Sequence, residues 1–544
     1  MLVSQRHASC FIPVTVILTV MLTLMGCSPE NTHYQQPNGI IYCSEGNPAS
    51  FNPQLDTSGT TVDVSSHQIY DRLLDFDLIT GEIIPGLASS WITSTDGLTY
   101  TFQLRKNIVF HSTSYFAPTR TFDADDVIFS FNRWRDKNHP YHEVSGGRYP
   151  YINSVGLGDL ISDIKRINRY RVEITLVRPE SSFLANLATD FSIILSAEYA
   201  DQLAKADTPE LIDTHPIGTG PFKFNSFRQD RYVRFDAHPL YWRERSTTEQ
   251  LIFDITPSSS LRLAKLMTGE CDSMAFPTHS QLDIIRKRKE LTLDEKPGLN
   301  VGFWAFNTAK APFDNPEVRR ALAMAIDKNA LMEAIYFGSA IPATSIIPPS
   351  SWAFQPDTRS STYNPLGAAK LLRENGVEEG FSMTIWAMPV ERAYNPNAMK
   401  MAELMQRYLR DVGIDANIVS YEWSTFRARL NQGLHDSVLI GWSADNGDPD
   451  NFFRPLLTCS AIDSGTNRAR WCSKEYDKLI DQALTYTNQE DRAYFYSKAI
   501  EMINDEMPLM PIAHAFRYQA YRDNLTGIEI NPYGGIQFRN VSKP

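Results

Sequence analysis

The chain has 544 residues, more than one hydrophobic core usually serves, so two or more lobes are expected. With 42% apolar and 21% charged residues it has the composition of a globular protein, neither disordered nor membrane-spanning. A formal net charge of -11, with no basic cluster standing out, argues against nucleic acid and against adhesion to an anionic membrane, both of which need a concentrated cationic surface.

The one long apolar run is Phe11 to Met25, preceded by Arg6 and closed by Gly26-Cys27. It is short for a membrane-spanning helix and contains Pro13, so residues 1–26 read as a signal peptide. Leu24-Met25-Gly26-Cys27 looks like the box at which bacterial lipoproteins are cut, although Met25 is a less usual residue there. That reading makes Cys27 the acylated N-terminus and the sole membrane anchor. A plain secretory signal is the alternative, and either one exports the protein.

The six cysteines agree with export. Setting aside Cys10 in the signal and Cys27 leaves Cys43, Cys271, Cys459 and Cys472, which allow three pairings in an oxidising compartment. Cys459 and Cys472 bracket a short polar loop and are natural partners. Cys43 would then join Cys271, clipping the N-terminal strand of the exported chain to a distant segment.

Short strands alternate with helices along the chain. Thr99–Arg105 and Arg171–Val177 alternate apolar and polar residues with period two, as half-buried strands do. Asp123 precedes a run with helical apolar spacing, and its carboxylate suits an N-cap. Asn315-Pro316-Glu317 opens a helix expected to reach Ala330, because Pro at the first helical position sacrifices only an orphan N–H. A helix is predicted over Ala398–Val412, a strand over Ile414–Tyr421 and a buried strand over Ser437–Trp442. The fold class is therefore α/β. A boundary is expected near Leu291–Leu299, where Glu295-Lys296-Pro297-Gly298 interrupts the pattern, and a second near Pro511–Ala515 before the final strands; two such crossings between lobes would let them hinge about a cleft.

Catalytic and metal motifs are missing. The chain has no P-loop, no G-x-S-x-G elbow and no H-E-x-x-H helix. Gly218-Thr-Gly220-Pro221 resembles the start of a phosphate loop but lacks its third glycine, and a turn is expected. In His139-Pro-Tyr-His142-Glu143, Pro140 prevents the helical register that would aim two imidazoles at one metal. Asp445, Asp448 and Asp450 could hold calcium, but Gly447 and Leu456 stand where an EF-hand loop needs oxygen ligands. No metal and no cofactor is assigned.

Longer strings carry a resemblance. Tyr42-Cys-Ser-Glu-Gly46, Phe51-Asn-Pro-Gln54, Thr57-Ser-Gly-Thr-Thr61, Pro140–Gly147, Pro216–Pro221 and Gly298–Gly302 resemble the Dpp-type dipeptide-binding proteins of the ABC importers. The strongest pieces are Trp386-Ala-Met-Pro-Val-Glu-Arg-Ala-Tyr-Asn-Pro396 and Gly441-Trp-Ser-Ala-Asp-Asn-Gly-Asp-Pro-Asp-Asn-Phe-Phe453. The resemblance covers the chain from Cys43 onward, and the four cysteines fall where that family places its two disulfides.

It implies a two-lobed periplasmic solute-binding fold with Venus-flytrap closure, residues 37–295 with 516–544 forming lobe I and 296–515 lobe II. It also implies a monomer that binds a dipeptide and hands it intact to an inner-membrane ABC permease, without catalysis. Arg392 matches the family residue that grips the peptide carboxylate, and Asp445 the one that grips the ammonium. The chemistry suits them, since a guanidinium fork pairs bidentately with a carboxylate and an aspartate accepts from three N–H donors. Taken alone, Arg392 would also suit a surface salt bridge and Asp445 a turn cap. Thr57, Ser58 and Gly59 match the cleft-lining loop, and Tyr394, Trp423 and Trp442 resemble aromatic walls, with ordinary core packing as the alternative. Arg454-Pro455 and the basic loop Arg468–Arg470 differ from the commonest family forms and are expected to alter the cleft mouth. Lipid-anchored relatives on this fold bind haem or glutathione, so haem as a transported ligand is one rival; an envelope peptidase is a more remote one.

Overall fold

A computed structural model describes residues 39–358 and 361–543, so the signal peptide and Cys27 lie outside the described residues. Thr99–Leu104 and Arg171–Leu176 alternate in burial as they do in sequence, and they pair antiparallel. Ala88–Thr93 and Ile161–Asn168 flank them to complete a four-stranded antiparallel sheet. Asp123 caps the helix Ala124–Arg135 with a reciprocal box: its carboxylate accepts from the Asp125 N–H at 3.0 Å, while Asp126 accepts from the Asp123 N–H at 3.0 Å.

Some boundaries differ from the sequence pattern. The helix opened by Asn315 and Pro316 stops at Met324 rather than Ala330. Asp327 starts a second helix, Lys328–Leu331, by accepting from the N–H groups of Asn329 and Ala330 at 3.0 and 3.1 Å. An aspartate that bonds the next turn competes with continuation of the previous helix. The helix from Ala398 ends at Arg410, and the strand from Ile414 ends at Val419. Gly413, at φ +85°, makes the left-handed turn between them.

The 14-residue strand Leu509–Arg522 organises the main sheet. Its first half pairs with Asn300–Phe306, beyond which lie Ser437–Ser443, Phe381–Ala387 and Ile414–Val419. Its second half pairs with Leu291–Pro297 and with Ser273–Met274, which leads to Gly39–Ser44 and Gln250–Ile255. Both stretches expected as crossings between lobes are formed largely by strand. Glu295, Lys296 and Pro297 continue the ladder, and Pro511 to Ala515 lie inside the long strand.

Gly298–Asn300 is the joint between the strands Leu291–Pro297 and Asn300–Phe306. The Asn300 side chain donates to the Ala515 carbonyl and accepts from the Ala515 N–H, both at 2.9 Å. A Cβ on Gly298 would lie 2.6 Å from the Ala515 carbonyl oxygen, so only glycine fits.

Two large cores lie on either side of this joint. One gathers buried side chains from Val301 to Ala515, and the other joins Ile40 to Ala275 with Leu525 to Val541. A small third cluster surrounds Cys43 and Cys271, which are disulfide-bonded, as are Cys459 and Cys472. Away from the joint the two regions also touch, as in Ser181 N–H to the Leu484 carbonyl at 2.9 Å and Asn446 to Asn186 at 3.2 Å, and the helices Pro150–Ser154 and Ser460–Ser464 pack together.

Candidate functional site

The adjacent strands Asn300–Phe306 and Ser437–Ser443 pair so that Gly302 faces Gly441. A Cβ on Gly302 would come within 2.3 Å of the Tyr394 carbonyl oxygen, and one on Gly441 within 2.3 Å of the Tyr394 ring. The two glycines open a notch in the sheet, and the loop after Phe381–Ala387 drops into it. Tyr336 Oη donates to the Tyr394 carbonyl at 2.8 Å, and Arg392 and Asn395 exchange backbone hydrogen bonds at 3.1 and 3.0 Å.

This loop presents Arg392, which is half-buried. Its Nη1 donates to the Glu391 carbonyl at 2.9 Å, and among the described residues no carboxylate pairs with it. Its guanidinium lies 5.7 Å from the Trp423 ring centre, and Trp423 stacks on Phe426 at 5.8 Å. Arg427 covers the same indole at 5.9 Å. Burial pushes the Tyr394 hydroxyl above its ordinary pKa, and Arg392, Arg468 and Arg427 oppose the shift. Four side chains singled out by position or resemblance, Arg392, Tyr394, Trp423 and Arg468, therefore share one neighbourhood.

Asp445 belongs to a second neighbourhood. Asn451 Oδ1 accepts from both the Trp442 indole N–H and the Asp445 N–H at 3.0 Å, and Asn451 Nδ2 donates to Tyr151 Oη at 3.2 Å. Of the three carboxylates in this loop, Asp448 pairs with Arg492 at 2.7 Å and Asp450 with Arg454 at 3.3 Å. Among the described residues no cation pairs with Asp445. Burial raises its pKa well above the usual carboxylate range, and the Asp190 carboxylate adds to the rise. Asp190, although itself buried, is held low by His67 at 2.9 Å and Arg72 at 3.2 Å. Asp445 is thus left beside another anion with its own charge uncompensated.

The loop before the helix Gly59–Ser65 is arranged by Asp56. Its carboxylate accepts from the Ser58 N–H at 3.3 Å, from the Ser58 hydroxyl and from Thr61 Oγ1 at 2.9 Å, while its other oxygen meets Arg427 at 3.6 Å. Thr57 is exposed, Ser58 and Gly59 are half-buried, and the space a Gly59 Cβ would occupy is open. Through Asp56–Arg427 this loop reaches the arginine neighbourhood rather than Asp445.

Arg454 is buried, bonded to Asp450 at 3.3 Å and to Asp481 at 3.0 Å, and so braces the helix Asp450–Leu457, with Glu180 of the other core also acting on its charge. Asp56, Asp190, Arg427, Gly302 and Gly441 were not singled out as site residues by pattern reading. Only the glycines carried a local signal, being isolated within otherwise apolar strands.

Residues 82–464 match the bacterial extracellular solute-binding proteins, family 5 Middle. The dipeptide-binding protein of Escherichia coli (strain K12) is 45% identical over 507 residues, 93% of this chain and 95% of that protein. Heme-binding protein A of Haemophilus influenzae is 42% identical over 505 residues, 93% of this chain and 92% of that protein. The crystal structure of a dipeptide-binding protein from Pseudoalteromonas sp. SM9913 in complex with Met-Leu has a TM-score of 0.90 and 49% identity, covering 93% of this chain and 100% of that one. With its motifs, its two cores and these likenesses in agreement, the chain belongs to the family 5 bacterial extracellular solute-binding proteins and has their two-lobed α/β fold.

Proposed function

We propose that the protein is the solute-binding component of an ABC importer, capturing dipeptides between its lobes and delivering them intact to an inner-membrane permease. The observation that carries this reading is a pair of uncompensated opposite charges: Arg392 has no carboxylate and Asp445 has no cation among the described residues. A zwitterionic peptide supplies both missing partners. Burying either charge unpaired costs several kcal/mol, so lobe closure is favourable only around a ligand that carries both ends. Arg392 holds the carboxylate and Asp445 the ammonium, with Tyr394, Trp423 and Trp442 as apolar walls and the Thr57–Gly59 loop approaching by its backbone.

Residues 37–295 with 516–544 and residues 296–515 act as the lobes, turning about the joint at Gly298–Asn300. Acylated Cys27 holds this monomeric protein at the periplasmic face of the membrane. The likeness to dipeptide-binding proteins supports the ligand class, and the likeness to a haem-binding protein supplies the rival. Mass spectrometry of ligand carried through a native purification tests the reading. Intact dipeptides are expected; recovery of haem with its visible absorbance and no peptide would replace it, and cleaved peptide would point to an enzyme.

A further inference from the structure

The carboxylate end of the cleft carries more positive charge than one peptide terminus can neutralise. Arg392 and Arg427 both approach the Trp423 ring, at 5.7 and 5.9 Å. Arg468 joins them from the loop closed by the Cys459–Cys472 disulfide. Its Nη1 donates to Asn431 Oδ1 at 2.6 Å, at the end of the helix Trp423–Asn431 that carries Arg427, and its carbonyl oxygen lies 2.8 Å from His435 Nε2. Arg468 is half-buried and within electrostatic reach of both Tyr394 and Arg427. Burial and the neighbouring Arg427 together bring its pKa down to about 10, so the charge persists at neutral pH under strain from its surroundings. Of these three guanidiniums, Arg427 meets the Asp56 carboxylate at 3.6 Å.

We infer that this surplus selects dipeptides whose second residue is aspartate or glutamate, with Arg392 pairing the α-carboxylate and Arg468, supported by Arg427, pairing the side-chain carboxylate. This rests on the dipeptide reading above and names its substrate class. One ligand carboxylate leaves a guanidinium without a counter-charge when the lobes close; a second carboxylate supplies it. Arginine suits the role because its planar fork directs two N–H donors at a carboxylate. The opposite end has the reverse bias. Asp445 already faces Asp190, so an acidic first residue would bring a third carboxylate to that neighbourhood. Selectivity therefore depends on position and not on ligand charge alone.

Calorimetric titration of the disulfide-intact chain with Ala-Glu, Ala-Gln, Glu-Ala and Gln-Ala tests this at pH 7. Glutamine keeps the shape of glutamate and removes its charge. Ala-Glu is expected to bind about tenfold more tightly than Ala-Gln, the lower end for a charge-assisted pair that water partly reaches. Glu-Ala is expected to bind more weakly than Gln-Ala. Arg468→Gln should bring the Ala-Glu to Ala-Gln ratio to about one, and Arg468→Lys should keep part of it. If Arg468→Gln does not fold, Arg427→Gln carries the same expectation for the ratio. A wild-type ratio of one or less overturns the inference, as does a ratio that survives both glutamine substitutions. Failure of all four peptides to bind would instead refute the dipeptide reading itself.

Discussion

Removing one member of the uncompensated charge pair leaves the matching ligand terminus desolvated and alone when the lobes close. Arg392→Ala strands the peptide carboxylate, and Asp445→Ala strands the ammonium. Truncating one partner of a buried charge pair costs about 2–5 kcal/mol, and the two positions should fall at different points in that range. Arg392 is half-buried on a loop and neighboured by two further arginines, so water and Arg427 partly replace it; about 2 kcal/mol, or roughly thirtyfold in affinity, is expected. Asp445 is half-buried as well, but the ionised group that acts on it most is another carboxylate, already engaged by His67 and Arg72. About 4 kcal/mol, or close to a thousandfold, is expected there. Calorimetry with Ala-Ala and its blocked forms separates direct pairing from general damage. A C-terminal amide should bind wild type poorly but lose little more with Arg392→Ala, and an N-acetyl dipeptide should behave likewise with Asp445→Ala. If either substitution weakens free and blocked ligand equally, that residue does not hold the terminus assigned to it.

Three further outcomes follow from single features. The Asp445 pKa is raised on folding, so its ionised form costs stability above that raised value, and the cost fades as pH falls toward the unfolded value of about 3.9. Asp445→Asn should therefore raise the melting temperature of the empty protein at pH 7 and raise it less near pH 4; a gain independent of pH would contradict the assignment. Gly441→Ala, whose Cβ would sit 2.3 Å from the Tyr394 ring, should cost about 1–3 kcal/mol in denaturant unfolding and weaken dipeptide binding, whereas unchanged values would show that the notch is dispensable. Replacing Cys459 and Cys472 by serine opens a loop with a sequence separation of 13 and should cost about 3 kcal/mol, seen as a melting shift that reductant reproduces in the parent protein.

The elements that could be read from the chain are those whose causes are local. Alternation over Thr99–Leu104 needs no partner to be recognised, and Asp123 announces the helix it caps. The crossings were harder to read. Pro297 and Pro511 look like breakers, but Pro297 ends its strand where the turn at Gly298 begins, and Pro511 lies beside a register shift in the ladder with Asn300–Phe306. Apolar spacing continues past Met324, but the helix stops there because Asp327 caps a new one.

The amino-acid order by itself determines the period of each strand and helix and the caps that end them. Its motif strings also single out Arg392 and Asp445 as candidates. Those properties depend on neighbours a few residues away, which is why they survive in one dimension. Which charges remain unpaired is decided only in three dimensions. Asp448 and Asp450 look equivalent to Asp445 along the chain, but Arg492 and Arg454 reach the first two and not the third. Asp56 and Arg427 meet at 3.6 Å from distant parts of the chain, and Asp190 is paired with His67 and Arg72. Charge compensation is a property of pairs brought together by packing, so the cleft's unmet demand for an anion at one end and a cation at the other emerges only after every other partner has been placed.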